Sequence, residues 1–227
     1  MRPETPELDH LVVGCLDLSA GTAEMTRRLG VEPGGGGAHD GAGTHNVLWG
    51  LEDARRPGAR PVYLELIAPD PAQDAEPRSF GLARPEVRAL LASGPRLLTW
   101  MARCGGIDDL AARASVDLGP VGPLRRGDLA WRLTRAPGPV APFWGAVPGL
   151  IEWPEGVPTP SETLAGGPLH LVAFERRADP DVAKALLSLD LSDAVAEADP
   201  DLPPPAAGAG AALRAVIDSP AGRVFLD

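Results

Sequence analysis

The sequence predicts an α+β fold built from two copies of a strand–helix–strand–strand–strand unit, with a partial third unit toward the C-terminal end. Three observations carry that prediction. Residues Leu97 to Cys104 align without gaps onto Leu8 to Cys15, leucine on leucine at the start and cysteine on cysteine at the end. Trp131 then falls where Trp49 fell. Finally, each copy closes on an apolar run interrupted by one carboxylate: Tyr63-Leu64-Glu65-Leu66-Ile67-Ala68-Pro69 and Gly149-Leu150-Ile151-Glu152-Trp153-Pro154. A lone acid in a buried strand is costly unless something pairs with it, and two acids at matching places of a repeat suggest a shared partner.

In the first unit, expected over residues 1–72, Leu8 to Cys15 reads as a buried strand. A helix from a Ser19 N-cap to Leu29 follows, stopped by Gly30. The glycine run Gly34 to Gly37 reads as a loop, Thr44 to Trp49 as a strand and Val62 to Ala68 as the closing strand. Residues 73–95 form a linker helix region. The second unit, 96–160, repeats the order with Leu97 to Cys104, a short helix over Asp108 to Ala114, Leu129 to Thr134 and Leu150 to Trp153. A proline-rich loop around Pro137 to Pro142 absorbs the longer spacing between its tryptophan and its glutamate. The partial third unit, 166–227, offers a strand from Leu169 to Phe174 and a helix opened by Asp179-Pro180-Asp181. An alanine–glycine connection over Ala206 to Ala212 follows the prolines at Pro203 to Pro205, and a hairpin ends the unit. This third unit either completes a homodimer interface or covers a sheet edge.

Composition narrows the function classes. A formal charge of −10 argues against nucleic acid or an anionic membrane as partner and leaves a small-molecule ligand. Two cysteines make no disulfide framework, and no apolar stretch is of signal-peptide or membrane-spanning type, so a cytoplasmic protein is expected. Gly34 to Gly37 lacks a following Lys-Ser/Thr, which discounts a phosphate loop.

The duplicated βαβββ unit resembles the vicinal oxygen chelate architecture, in which two modules make one cupped mixed sheet. Members include glyoxalases, extradiol dioxygenases, epimerases and drug-sequestering proteins. The segments Leu8-Asp9-His10-Leu11-Val12-Val13, Gly43-Thr44-His45-Asn46 and Tyr63 to Pro69, with Leu150-Ile151-Glu152-Trp153, are similar to its glyoxalase-like branch. The resemblance implies metal ligands on the first and last strands of each module, at His10, Glu65, Thr99 and Glu152. Thr99 departs from the expected imidazole. One histidine and two carboxylates on a divalent ion suit Fe, Mn, Co, Ni or Zn. They would support a lyase, isomerase or dioxygenase-type reaction, with Glu65 or Glu152 as base. The alternative is a metal-free protein that binds or sequesters a small ligand in the same cup.

Other residues divide between chemistry and packing. His45, Asn46, Trp49 and Trp131 are expected as substrate contacts, the two tryptophans as core or cavity wall. Trp100 is a candidate to fill the volume of the missing histidine, and Glu152 has Arg132 as an alternative partner. His39 reads as solvated, His170 as structural, and Cys15 and Cys104 as buried and inert. Arg125-Arg126 reads either as a solvated loop pair or as a contact for an anionic substrate.

Overall fold

The computed structural model describes residues 5–136, 141–202 and 213–227. The segments Pro203 to Pro205 and Ala206 to Ala212, and most of the loop expected around Pro137 to Pro142, lie outside them.

The first module runs β1 (Glu7–Gly14), α1 (Leu18–Leu29), β2 (Gly35–His39), β3 (Thr44–Asp53) and β4 (Val62–Pro69). After α2 (Pro85–Leu91), the second repeats that order as β5 (Arg96–Arg103), α3 (Ile107–Arg113), β6 (Val121–Arg126), β7 (Leu129–Thr134) and β8 (Gly149–Glu152). A short α4 (Pro160–Thr163) precedes the C-terminal unit of β9 (His170–Arg177), α5 (Pro180–Ser188), α6 (Ser192–Ala196), β10 (Ala198–Asp199), β11 (Leu213–Ser219) and β12 (Gly222–Leu226). The α+β repeat is therefore the one the sequence predicts.

Local chemistry explains the departures. The cap of α1 is Asp17 rather than Ser19: its carboxylate accepts from Ala20 N, and Gly30 ends the helix at φ 69°. The glycine run is an edge strand, β2, rather than a loop. Gly36 has φ 137°, and a Cβ there would sit 2.2 Å from the Asn46 carbonyl oxygen, so only glycine lets β2 lie this close to β3. Arg125 and Arg126, expected in a loop, belong to β6.

One twelve-stranded sheet results, in the order β12-β11-β9-β3-β4-β1-β5-β8-β7-β6, with β2 added to β3 and β10 to β9. β1 pairs with β4 in parallel and β5 with β8 in parallel, while the antiparallel β1–β5 ladder joins the modules. The outer edge of β3 is shared: β2 takes Thr44 to Leu48, and β9 takes Glu52 and Asp53. Buried leucines such as Leu11, Leu29, Leu64 and Leu66 join the core on the helix-covered face, each worth about 2 kcal/mol on burial. Cys15 and Cys104 belong to that core, and burial pushes both thiols up to about 12. The opposite face curls into a cup. Its two rims meet where Asp40 N, just after β2, donates to Arg125 O of β6 at 3.0 Å, the one backbone hydrogen bond joining them among the described residues.

Candidate functional site

The cup encloses a cavity of about 580 Å³, a size suited to a small organic ligand. Its floor begins at an irregularity in β1. The β1–β5 register shifts between Leu8 and His10, and a bulge interrupts the alternation of faces. Leu8 packs with Leu11 and Val13 under the helices, whereas Asp9 and His10 both serve the cup. Fully buried Asp9 accepts from His10 Nδ1 at 2.6 Å and from Trp153 Nε1 at 3.0 Å, with Arg103 Nη1 at 3.8 Å. His10 stacks on Tyr63 with ring centroids 4.3 Å apart.

From His10 the polar groups run on in sequence. His10 Nε2 lies 3.5 Å from Glu65 Oε2. Asn46 Nδ2 donates to Glu65 Oε1 at 2.5 Å and toward His39 Nε2 at 3.1 Å, while His39 Nδ1 meets Thr44 Oγ1 at 2.8 Å. Asn46 Oδ1 accepts from Gly37 N at 3.2 Å and Arg126 Nη1 at 3.0 Å, which fixes the orientation of the amide. Burial alone would lower the His10 pKa, but hydrogen bonds and charge from Asp9 and Glu65 carry it up to about 9. Burial likewise opposes the Glu65 carboxylate, and His10, His39 and Asn46 bring it down to about 2. Burial holds His39 below its ordinary value, and Glu65 offsets only part of this. His10 is thus a charged donor flanked by two carboxylates, and His39 is neutral.

The expected trio of His10, Glu65 and Glu152 does not assemble. In the sheet, Val12 pairs with Glu65, and the Val12 equivalent in the repeat, Met101, pairs with Gly149. Gly149, not Glu152, therefore stands where Glu65 stands. Glu152 lies three residues further on, and an odd offset turns a side chain to the opposite face. There its Oε1 accepts from Gly106 N at 2.7 Å and Ile107 N at 3.2 Å at the start of α3, and Oε2 pairs with Arg132 at 3.0 Å. The alternation of β3 likewise sends Asn46 into the cavity and His45 outward to a shallow groove beside α1. Trp49 is a core residue whose Nε1 donates to Val31 O. Trp131 does line the cavity, 5.3 Å from Trp153 between ring centroids. Trp100 leaves the cup for the other face, near Phe174 and Arg176. His39, expected to be solvated, is 3% exposed. Asp9 and His39 are the residues that sequence reading missed. Two adjacent polar residues in an otherwise apolar strand were the available signal for Asp9, since one of them has to break the alternation.

Second-module side chains lining the cavity include Thr99, Met101, Ile151, Trp131 and Trp153, with Arg126 at the rim and Gly149 contributing backbone. The Thr99 hydroxyl donates to Gly145 O at 3.3 Å. This donor set does not fit a divalent ion. His10 Nε2 is turned to Glu65, His39 Nε2 accepts from Asn46, and the repeat-related places offer a hydroxyl and a glycine. Among the described residues, no three His, Cys, Asp or Glu side chains are grouped for a metal.

The glyoxalase-like domain profile matches residues 8–190, most of the chain and both halves of the cup. The chain belongs to the glyoxalase-like domain family. That membership bears out the resemblance to the vicinal oxygen chelate architecture. Comparison with curated proteins finds no match. Among solved structures, a Streptomyces coelicolor methylmalonyl-CoA epimerase variant with 2-nitronate-propionyl-CoA is similar at 19% identity, covering 69% of this chain and 100% of that one, with a TM-score of 0.43. Methylmalonyl-CoA epimerase from Mycobacterium tuberculosis is similar at 20% identity, with coverage of 70% and 91% and a TM-score of 0.39. A hypothetical protein from Staphylococcus aureus is similar at 14% identity, with coverage of 81% and 75% and a TM-score of 0.50. At these identities the likenesses concern architecture alone. No helix of the described glyoxalase-like chain is long and apolar enough to cross a membrane.

Proposed function

We propose that the glyoxalase-like cup binds a small organic molecule without a metal ion. The observation that carries this reading is the unequal furnishing of the cavity. His10 and Glu65 line it from the first module, while the matching places in the second are Thr99 and Gly149. Trp131, Trp153, Met101 and Ile151 supply an apolar wall for the body of the ligand. His10, with Nδ1 on Asp9 and Nε2 turned to Glu65, makes a fixed polar floor beneath that wall. Glu65, with its carboxylate held far below neutrality, is a poor acceptor for a proton on carbon, which favours retention of the ligand over turnover.

The test is elemental analysis of the purified protein after exposure to Mn, Fe, Co, Ni and Zn salts, alongside tryptophan fluorescence during ligand titration. The expected result is no stoichiometric metal, and quenching that diminishes in Trp131→Phe. One tightly held ion per chain, lost in Glu65→Gln, would sink the proposal. A small molecule that is converted on binding would replace retention with catalysis.

A further inference from the structure

Most arginines in the buried and half-buried parts of this protein have a carboxylate partner: Arg55 has Asp53, Arg103 has Glu7, Arg132 has Glu152 and Arg176 has Glu197. Two arginines lining the cavity do not. Arg126 of β6 and Arg135 just beyond β7 face it with no acid at salt-bridge distance among the described residues, while Arg125, one residue earlier on the same strand, turns its side chain to the opposite face. On the same lining, Arg78 is already paired with Glu76 at 2.6 Å. The cavity thus sets Arg78, Arg126 and Arg135 against the carboxylates Asp40, Glu65 and Glu76, in a chain whose formal charge is −10. One of those carboxylates, Glu65, is already taken up by His10 and Asn46.

Arg126 is the better placed of the two. Its Nη1 donates to Asn46 Oδ1 at 3.0 Å, its guanidinium lies 6.0 Å from the Trp131 ring centroid, and its aliphatic stem crosses the bare backbone of Gly37. A Cβ on Gly37 would stand 3.4 Å from Arg126 Cγ and Cδ, so the stem lies beside the space a larger residue would fill. The side chain is oriented by its bond to Asn46 and its place over Trp131, while Nε and Nη2 have no hydrogen-bond partner among the described residues. A guanidinium oriented in advance, with two N–H directions unused in a partly enclosed cavity, matches the two oxygens of a carboxylate or phosphate. Its orientation costs little at the moment of binding.

We infer that the cavity takes an anionic ligand: an apolar or aromatic body against Trp131 and Trp153, carrying an oxyanion that Arg126 binds with Arg135 alongside. This inference deepens the small-molecule reading above and rests on it. Carboxylate and phosphoryl groups share the required chemistry, and the experiment separates them.

The native protein and two variants, Arg126→Met and Arg126→Lys, are titrated calorimetrically with 1-naphthylacetate, its neutral amide and 1-naphthyl phosphate. Thermal melts of all three proteins establish that each is folded. The native protein is expected to bind at least one of the two anions about tenfold more tightly than the amide, with that preference shrinking as salt is raised. The tighter anion identifies the group. Arg126→Met should lose the preference and Arg126→Lys keep part of it. Equal affinity for the amide and both anions, or a preference untouched in Arg126→Met, overturns the inference and leaves a small-molecule cavity standing. No binding of any of the three probes at millimolar concentration overturns both.

Discussion

The two modules share a backbone plan and differ in what they show the cavity. The first meets it with an imidazole, a carboxylate, an amide and a second imidazole: His10, Glu65, Asn46 and His39. The second meets it with a hydroxyl, a glycine, apolar side chains and, at the rim, a guanidinium: Thr99, Gly149, Ile151 with Trp131, and Arg126. Each module also carries one conspicuous strand glutamate, yet Glu65 faces inward and Glu152 caps a helix. Duplicated sequence patterns need not be duplicated sites, because strand register decides which face a residue serves and a shift by an odd number reverses it.

The sharpest way to break this comparison is through Asp9. Asp9→Ala removes the acceptor for both His10 Nδ1 and Trp153 Nε1 and the nearest charge to Arg103 Nη1 on that side. A loss of about 3 kcal/mol in denaturant unfolding is expected. Thr99→Val, which takes away one hydroxyl bond to Gly145 O in the second module, should cost about 1 kcal/mol. If the two losses were equal, the polar load would not be concentrated in the first module.

The pH dependence of stability sharpens the same contrast with a smaller effect. His10 is raised from an ordinary 6.5 to about 9, so its stabilising contribution is complete below pH 6.5 and disappears as pH rises through 9. Glu65 is lowered from 4.5 to about 2, so its contribution is complete above pH 4.5 and disappears as pH falls through 2. Both contributions are whole between pH 4.5 and 6.5. His10→Gln should flatten the alkaline decline in thermal melts recorded across that range and above it. An unchanged decline would remove His10 as its source.

The smallest expected effect separates the glutamates. Glu152→Gln weakens the hydrogen bonds at the start of α3 and the pair with Arg132, for a loss of about 1 kcal/mol, and leaves ligand affinity unchanged. Glu65→Gln alters ligand affinity, measured by the same calorimetric titrations. Equal effects on binding would place Glu152 back in the site.

Most of the architecture was legible because hydrophobic strands and glycine-stopped helices are local signals: β1, β5, β7 and the Asp179-capped α5 needed no tertiary information. The site was legible only in part. His10 and Glu65 follow from alternation in strands buried on both sides. Asp9 does not, since its orientation depends on a bulge set by the partner strand β5. His39 was hidden by its glycine-rich surroundings, which resemble a solvated loop until β2 pairs with β3. Glu152 matches Glu65 in residue type and not in register, and register emerges only when β5 pairs with β8.

The seam between the cup's rims has one more consequence. Elsewhere the wall is held by strand ladders, but between the end of β2 and β6 the backbone contact among the described residues is the single bond from Asp40 N to Arg125 O, reinforced by Arg126 on Asn46. Amide protons exchange with solvent deuterium at rates set by local opening. The Asp40 amide should therefore exchange well ahead of those in the β1–β4 ladder, and a ligand held by Arg126 in place would slow it. A single backbone proton becomes a clock for how often the cup opens.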